Sequence, residues 1–251
     1  MNNSIDLTGK ACLITGSSRG LGRSLALEFA RHGASLVINS RPSSARDLAE
    51  VERQVKAAGA RVLSVVADVS QRADIERLVG EALANFGSIE VLVNNASALG
   101  PTPMPYLIDY PIDDFEFVLR TNVSGPFMLT RALVGQMLAR RSGSIINVSS
   151  DAGVHGYPTW GAYGVSKAAL DHLTRTWAAE LEGTGVRINS VDPGDMNTAM
   201  KRASEPDGDP AEWADPDLVM PVFVFLASDK SRDITNQRFN AQEFIGEQES
   251  L

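Results

Sequence analysis

The sequence predicts an α/β fold, a doubly wound parallel sheet in a single domain, and three observations predict it. Six short apolar runs recur along the chain, longer stretches of helical composition separate them, and a glycine-rich turn follows the first run. The runs are ACLIT, ASLVIN, RVLSVVA, EVLVNN, SIINVS and RINSVD. Most are apolar at successive positions, as expected of strands covered by helices on both faces. A chain of 251 residues with 43% hydrophobic content can fill one large core. No repeat of 20 to 50 residues, low-complexity tract or Gly/Ser linker divides it, so residues 1–251 are expected to form one unit.

In chain order, the first run carries the only cysteine, Cys12, which reads as a core residue with no disulfide partner. TGSSRGLG follows at 15–22, and then the helical SLALEFARHG. Gly16, Gly20 and Gly22 permit a tight turn, close approach of backbone to a pyrophosphate, and close packing of helix on strand. The helix N-terminus offers its free N–H groups to the same anion. Gly16-Ser17-Ser18-Arg19-Gly20 also fits the G-x-S-x-G elbow of a serine hydrolase, with Ser18 as nucleophile. That chemistry needs an acid and then a histidine later in the chain. The histidines are His32, His155 and His172, and none follows the last strand.

The second run ends in VINSRPSSAR, with Ser40 and Arg41 where a dinucleotide fold commonly places an acid for the adenosine ribose. An acid would repel a 2′-phosphate, whereas Arg19 and Arg41 could pair with one. The expectation is NADP(H) in preference to NAD(H). The alternative is two solvated surface arginines.

Further along, YGVSK places Tyr163 and Lys167 four residues apart, on one face of a helix. An ammonium there is expected to lower the proton affinity of the phenol and fit it for acid–base work. Leu170, Leu173, Trp177 and Leu181 continue that helix as an apolar stripe. His155, Tyr157 and Trp160 precede it and could line a substrate site or serve packing alone. Residues 195–217, rich in Pro, Asp and Glu, read as a long loop or lid with a short helix, and their acids discourage a highly anionic substrate.

The remaining features are exclusions. A net charge of −8 argues against nucleic acid or an anionic membrane as principal partner. The apolar run LVMPVFVFLA at 218–227 is too short to span a bilayer, and MNNSIDLTGK lacks the pattern of a signal peptide, so the cytoplasm is the expected location. His32 and His172 lack a second ligand at metal spacing, and no metal site is expected.

Five motifs in order resemble the short-chain dehydrogenase/reductase family along nearly the whole chain. They are TGSSRGLG, Asp68-Val69, NNAS at 94–97, SS followed by YGVSK at 149–167, and NSVDPGDMNT at 189–198. The resemblance implies a Rossmann-like sheet and hydride transfer between NADP(H) and a carbonyl or alcohol, with Asn122, Ser150, Tyr163 and Lys167 as the catalytic set. Tyr163 would be the general acid/base, Ser150 would hold the substrate oxygen, and Asn122 would support a water that returns the proton through Lys167. Lys167 would also bond the nicotinamide ribose. On the cofactor, Gly16, Ser18, Arg19, Gly20, Leu21, Gly22, Ser40 and Arg41 would meet the phosphates and adenosine ribose, and Asp68 and Val69 the adenine. Asn95, Ala96 and Ser97 would line the adenosine ribose and nicotinamide side, and Pro193, Gly194 and Thr198 the nicotinamide half. A homotetramer or homodimer built on helices at about 111–140 and 161–182 is also implied.

The chain departs from the family at several positions. Ser97 replaces a common glycine, Asn236 stands where glycine is usual, and the double glycine after the last strand is missing. Thr184 occupies the position at which ketoacyl-carrier-protein reductases usually carry a basic residue, which points away from an acyl-carrier substrate without excluding it. A function from another class, a catalytically silent NADP-binding sensor or scaffold, would use the same fold. The complete catalytic set favours the enzyme.

Overall fold

A computed structural model describes residues 5–248, the side chains of 245–248 excepted. The first half runs β1 (Ala11–Ile14), α1 (Gly20–Arg31), β2 (Ser35–Ser40), α2 (Ala45–Ala57), β3 (Val62–Val66), α3 (Arg72–Phe86) and β4 (Val91–Asn94). The second runs α4 (Ile112–Leu119), α5 (Gly125–Arg140), β5 (Gly143–Val148), α6 (Gly161–Glu180), β6 (Val186–Asp192), α7 (Ala199–Ser204), α8 (Met220–Ala227), β7 (Arg238–Asn240) and α9 (Ala241–Gln248). All neighbouring strands are parallel, in the order β3-β2-β1-β4-β5-β6-β7. The chain reverses direction across the sheet between β1 and β4, which opens a crevice at their C-terminal ends.

Strand periodicity sorts the core. On β1, Cys12 and Ile14 face a cluster built with Leu25, Phe29 and Phe223, while Ala11 and Leu13 face another built with Leu78, Leu133 and Met137. Both faces of the sheet are therefore dry, as the unbroken apolar runs predict. Burial pushes the Cys12 thiol far up from its ordinary value, so it packs as an apolar side chain. MPVFVFLA, apolar all round, forms α8 and is mostly buried.

Two local features differ from the sequence reading. The buried face of α6 is polar as well as apolar, comprising Tyr163, Ser166, Lys167, Leu170, Asp171 and Thr174, and Leu173 and Trp177 are only half-buried. The helix turns this mixed stripe inward, and Trp177 stacks instead on Phe127 of α5, with ring centroids 6.3 Å apart. Asn236 keeps the left-handed conformation of the glycine it replaces, at φ 60°. Asparagine tolerates that region better than other side chains, so the turn into β7 survives.

Candidate active site

The glycine turn is close-packed. Gly16 has φ +68°, and a Cβ there would lie 2.9 Å from the Ala96 Cα; a Cβ on Gly22 would strike the Gly16 carbonyl and the Asn95 amide. Asn95 Nδ2 donates to the carbonyls of Thr15 (2.7 Å) and Gly16 (3.1 Å), so β4 braces the turn from behind. The Asn95 side chain thus shapes the turn, a role its motif did not announce.

A cavity of about 220 Å³ lies over this turn. Ser18, Arg19, Gly20 and Leu21 line it from α1, Ser40 and Arg41 from β2, Asp68 and Val69 from beyond β3, and Asn95, Ala96 and Ser97 from beyond β4. Tyr163, Lys167, Pro193 and Thr198 complete its far end, whereas Gly194 lines only the neighbouring cavity. Arg19 and Arg41 are exposed and form no ion pair among the described residues. One Asp68 oxygen accepts from the Ser70 N–H at 2.9 Å. Ser44, Thr121 and Ser149 also line the cavity, beside residues the sequence does single out: Ser149 belongs to the SS pair, Thr121 precedes Asn122 and Ser44 follows Arg41 by three residues, and nothing in those runs says which neighbour faces inward.

This cradle fits a dinucleotide. The turn that borders it leaves no room for a side chain on Gly22, and the buried hydroxyls of Ser97, Thr121 and Ser149 line it without a hydrogen-bond partner. Ser18 has no such match to a hydrolase. The His32 ring bonds Ile5 O (2.6 Å) and Glu28 (3.2 Å), at the far end of α1.

A second cavity, about 350 Å³, adjoins the first, and Tyr163 and Ser149 line both. Ser150 reaches it from the end of β5, with its hydroxyl donating to Asp151 Oδ1 at 3.0 Å and accepting from Ala152 N–H at 3.2 Å. Tyr157, which donates to Asp151 Oδ2 at 2.9 Å, and Trp160, packed edge-on against Tyr163 at 5.5 Å, line it too. His155 does not. From 195–217, Met196, Thr198, Met200 and Lys201 face the cavity, α7 being the short helix expected there. The acids of this segment are not simply solvated: Asp195 (2.7 Å) and Glu205 (2.5 Å) grip Lys201, which also lies 5.9 Å from the Trp160 ring and 5.6 Å from that of Trp213. Burial works against this charge, yet the two carboxylates raise the Lys201 proton affinity above the ordinary lysine value.

Asn122 sits in a π-helical turn, Arg120–Ser124, between α4 and α5. Its Nδ2 donates to Ala98 O and Ser166 Oγ, both at 2.9 Å, and its Oδ1 accepts from Ala98 N–H at 2.8 Å. Both amide hydrogens are occupied. The side chain therefore fixes the 95–99 loop to α6, and lines neither cavity.

The phenol and ammonium share a face of α6, as their spacing requires, but the electrostatics differ from the sequence expectation. Burial raises the Tyr163 pKa well above the tyrosine range; the nearby Ser150 and Ser97 hydroxyls lower it, while Asp192 and Asp151 raise it further. Burial depresses the lysine itself to about 8, against the opposing effects of Asp171 and Asp192. In a desolvated site both groups move toward neutrality.

The crevice at the strand-order reversal, with its glycine cradle and a buried phenol at the boundary of two cavities, has the form of a dinucleotide-dependent oxidoreductase. The sequence model of the short chain dehydrogenase family matches residues 10–209. Among curated proteins, the chain is similar to a 3-oxoacyl-[acyl-carrier-protein] reductase of Thermotoga maritima, at 35% identity over 92% of this chain and 95% of that one. Among solved structures, it resembles a Pseudomonas syringae chain assigned to the short chain dehydrogenases, at 38% identity and TM-score 0.87, covering 94% of this chain and 96% of that one. A Shigella flexneri chain of the same assignment, solved in complex with NADP, matches at 28% identity and TM-score 0.84 over 95% of this chain and all of that one. The protein belongs to the short-chain dehydrogenase/reductase family and is an oxidoreductase. Among the described residues no helix is long and apolar enough to cross a membrane.

Proposed function

We propose that the protein reduces a small carbonyl compound with NADPH, or oxidises the corresponding alcohol with NADP, using Tyr163 as general acid/base. The observation that carries this reading is that Tyr163 borders both cavities, with Lys167 on the cofactor side and Ser150 on the substrate side. The residues of the first cavity hold the dinucleotide, whose nicotinamide supplies or accepts the hydride. Tyr163, protonated because it is buried, gives its proton to the substrate oxygen. Ser150 turns its hydroxyl from Asp151 to that oxygen and holds it. Lys167 donates to Val148 O at 2.7 Å, which fixes its ammonium beside the phenol and the cofactor cavity. Asn122 acts through the loop it anchors.

NADP(H) is the cofactor. Arg19 and Arg41, paired with no carboxylate among the described residues, border the cavity beside Ser40 where an acid would oppose a 2′-phosphate. The substrate is neutral, because the cation in the second cavity, Lys201, is already claimed by Asp195 and Glu205. A 3-oxoacyl thioester is a second reading, favoured by the 35% identity to the Thermotoga maritima reductase. Against it, the Thr184 hydroxyl turns back to Leu181 O at 2.6 Å and offers no cation to an acidic carrier. Action in the cytoplasm as a homodimer or homotetramer belongs to the same proposal, with the half-exposed Phe127–Trp177 pair between α5 and α6 as the contact.

The test follows NADPH absorbance over a panel of ketones, aldehydes and acetoacetyl thioesters. Turnover of a neutral carbonyl with NADPH well above that with NADH is expected. Tight NADPH binding with no turnover across the panel would replace the enzyme by a cofactor-binding sensor.

A further inference from the structure

Tyr163, Lys167 and Asp171 follow one another at intervals of four on α6, and all are buried, at 9%, 2% and 4% exposure. A phenol, an ammonium and a carboxylate therefore share one inward stripe. Asp171 Oδ2 accepts from Arg238 Nε at 3.3 Å, while its Oδ1 is buried with no hydrogen-bond partner. Arg238 reaches in from β7 and donates through Nη2 to Asp192 Oδ2 at 2.9 Å. The other Asp192 oxygen accepts from the Gly194 N–H, also at 2.9 Å. One guanidinium thus bridges two carboxylates and ties β7 to α6 and to the Pro193–Gly194 turn.

The charge of this group closes only with the lysine included. Arg238 compensates one of the two carboxylates, and the second is left buried without a counter-charge unless Lys167 carries its proton. The groups that act on Lys167 are Tyr163, whose ring centre lies 5.3 Å from Nζ, and the carboxylates of Asp171 on its own helix and Asp192 on β6; Arg238 on β7 pairs with both carboxylates, and Asp151, beyond β5, acts on Tyr163.

We propose that Asp171 is a positioning residue for the proton chemistry of the site: its unpartnered carboxylate oxygen, steadied by Arg238, keeps Lys167 charged in surroundings that would otherwise discharge it. The inference rests on the reading of Tyr163 and Lys167 as the acid–base pair. Asp171 is the larger of two carboxylate influences that oppose the effect of burial on Lys167. It also gives a role to Arg238, in the C-terminal segment that departs from the family pattern.

The chain has five lysines, so ¹³Cε-lysine NMR of the full-length protein can follow Lys167 without reference to turnover, with Lys167→Met used for assignment. In the wild type the Lys167 signal should titrate near pH 8. Asp171→Asn should move the midpoint down by about one unit, the usual scale for losing an opposite charge one helical turn away, and Asp171→Glu should restore most of it. Arg238→Gln should move it up, since two carboxylates then lose their shared cation. A merely structural Asp171 would lower the melting temperature in Asp171→Asn and leave the midpoint in place. An unchanged midpoint in that variant, or an unchanged or lower one in Arg238→Gln, overturns the proposal. If the midpoints move as expected but the pH profile of kcat does not follow them, the hold of Asp171 on the Lys167 charge stands, and the acid–base reading of the pair, with the positioning role that rests on it, fails.

Discussion

Lys167 Nζ lies 5.3 Å from the centre of the Tyr163 ring, yet its hydrogen bond goes to the Val148 carbonyl at 2.7 Å. A cation over an aromatic face is favoured by the ring itself and does not require the hydroxyl to ionise. The pair is thus arranged to keep a neutral phenol beside a lysine whose charge is finely balanced. On the proposed reading of Tyr163 as proton donor, the neutral phenol is the form that carbonyl reduction uses.

If Tyr163 is that donor, Tyr163→Phe removes the transferable proton while keeping the ring that packs against Trp160. Stopped assays should give kcat lower by at least about a hundredfold, the scale of a lost general acid. NADPH titration by fluorescence should give a Kd within about threefold of wild type, because the phenol is a small part of the first cavity. Near-normal turnover would remove Tyr163 from the mechanism.

The balance at Lys167 also shows in stability. Its folded-state pKa, depressed by burial to about 8, lies below that of an unfolded lysine, so between these values the unfolded chain binds more protons. The associated stability is present above the unfolded value and is lost as pH falls toward 8. Tyr163 runs the other way: its raised pKa contributes stability that is lost only when the pH climbs above the ordinary tyrosine value. Denaturant unfolding of wild type against Lys167→Met should show the wild type gaining about 2 kcal/mol relative to the variant from pH 8 to 10. A parallel pair of curves would mean that Lys167 titrates as it does in water.

Cofactor choice should follow Arg41. Its guanidinium is exposed and has no acidic partner among the described residues, so on the proposed reading Arg41→Ala removes one charge-assisted contact to the cofactor and unpairs no described carboxylate. The kcat/KM for NADPH should fall by about tenfold or more, that for NADH should change little, and the NADPH loss should shrink at high salt. Equal losses for both cofactors would show that Arg41 acts on something other than a 2′-phosphate.

The sheet was legible because its signals are local: consecutive apolar runs, and a glycine turn whose geometry only glycine permits. In the candidate site, the meeting of Tyr163 and Lys167 was legible for the same reason, since a four-residue spacing on a helix fixes which side chains share a face. What the spacing did not carry was dielectric. Nothing in YGVSK says that the helix would be buried deeply enough to push the phenol up and the ammonium down. Asn122 and Asn95 were likewise placed by motif, but their amides point at Ala98 and at the Thr15–Gly16 carbonyls, partners brought together only by the crossing of β1, β4 and α6. Arg238 gave no sign at all, because its carboxylate partners lie 67 and 46 residues away in sequence.

Two glycines in helices separate a positional requirement from a propensity. Gly80 in α3 has no heavy atom within 4 Å of the place a Cβ would take, so Gly80→Ala should add about 0.5–1 kcal/mol through helix propensity alone. Gly22 in α1 makes the same propensity gain available but denies it, because the added methyl meets the Gly16 carbonyl and the Asn95 amide, and the backbone on that side has a turn to hold. Gly22→Ala should cost about 1–3 kcal/mol and weaken NADPH binding by at least about tenfold, since the turn must open to admit the methyl. Thermal melts and NADPH titrations on the two variants should therefore diverge in sign for stability, with cofactor affinity lost in only one. If Gly22→Ala binds NADPH as the wild type does, the close approach of turn, helix and Asn95 is not what forms the cofactor cradle.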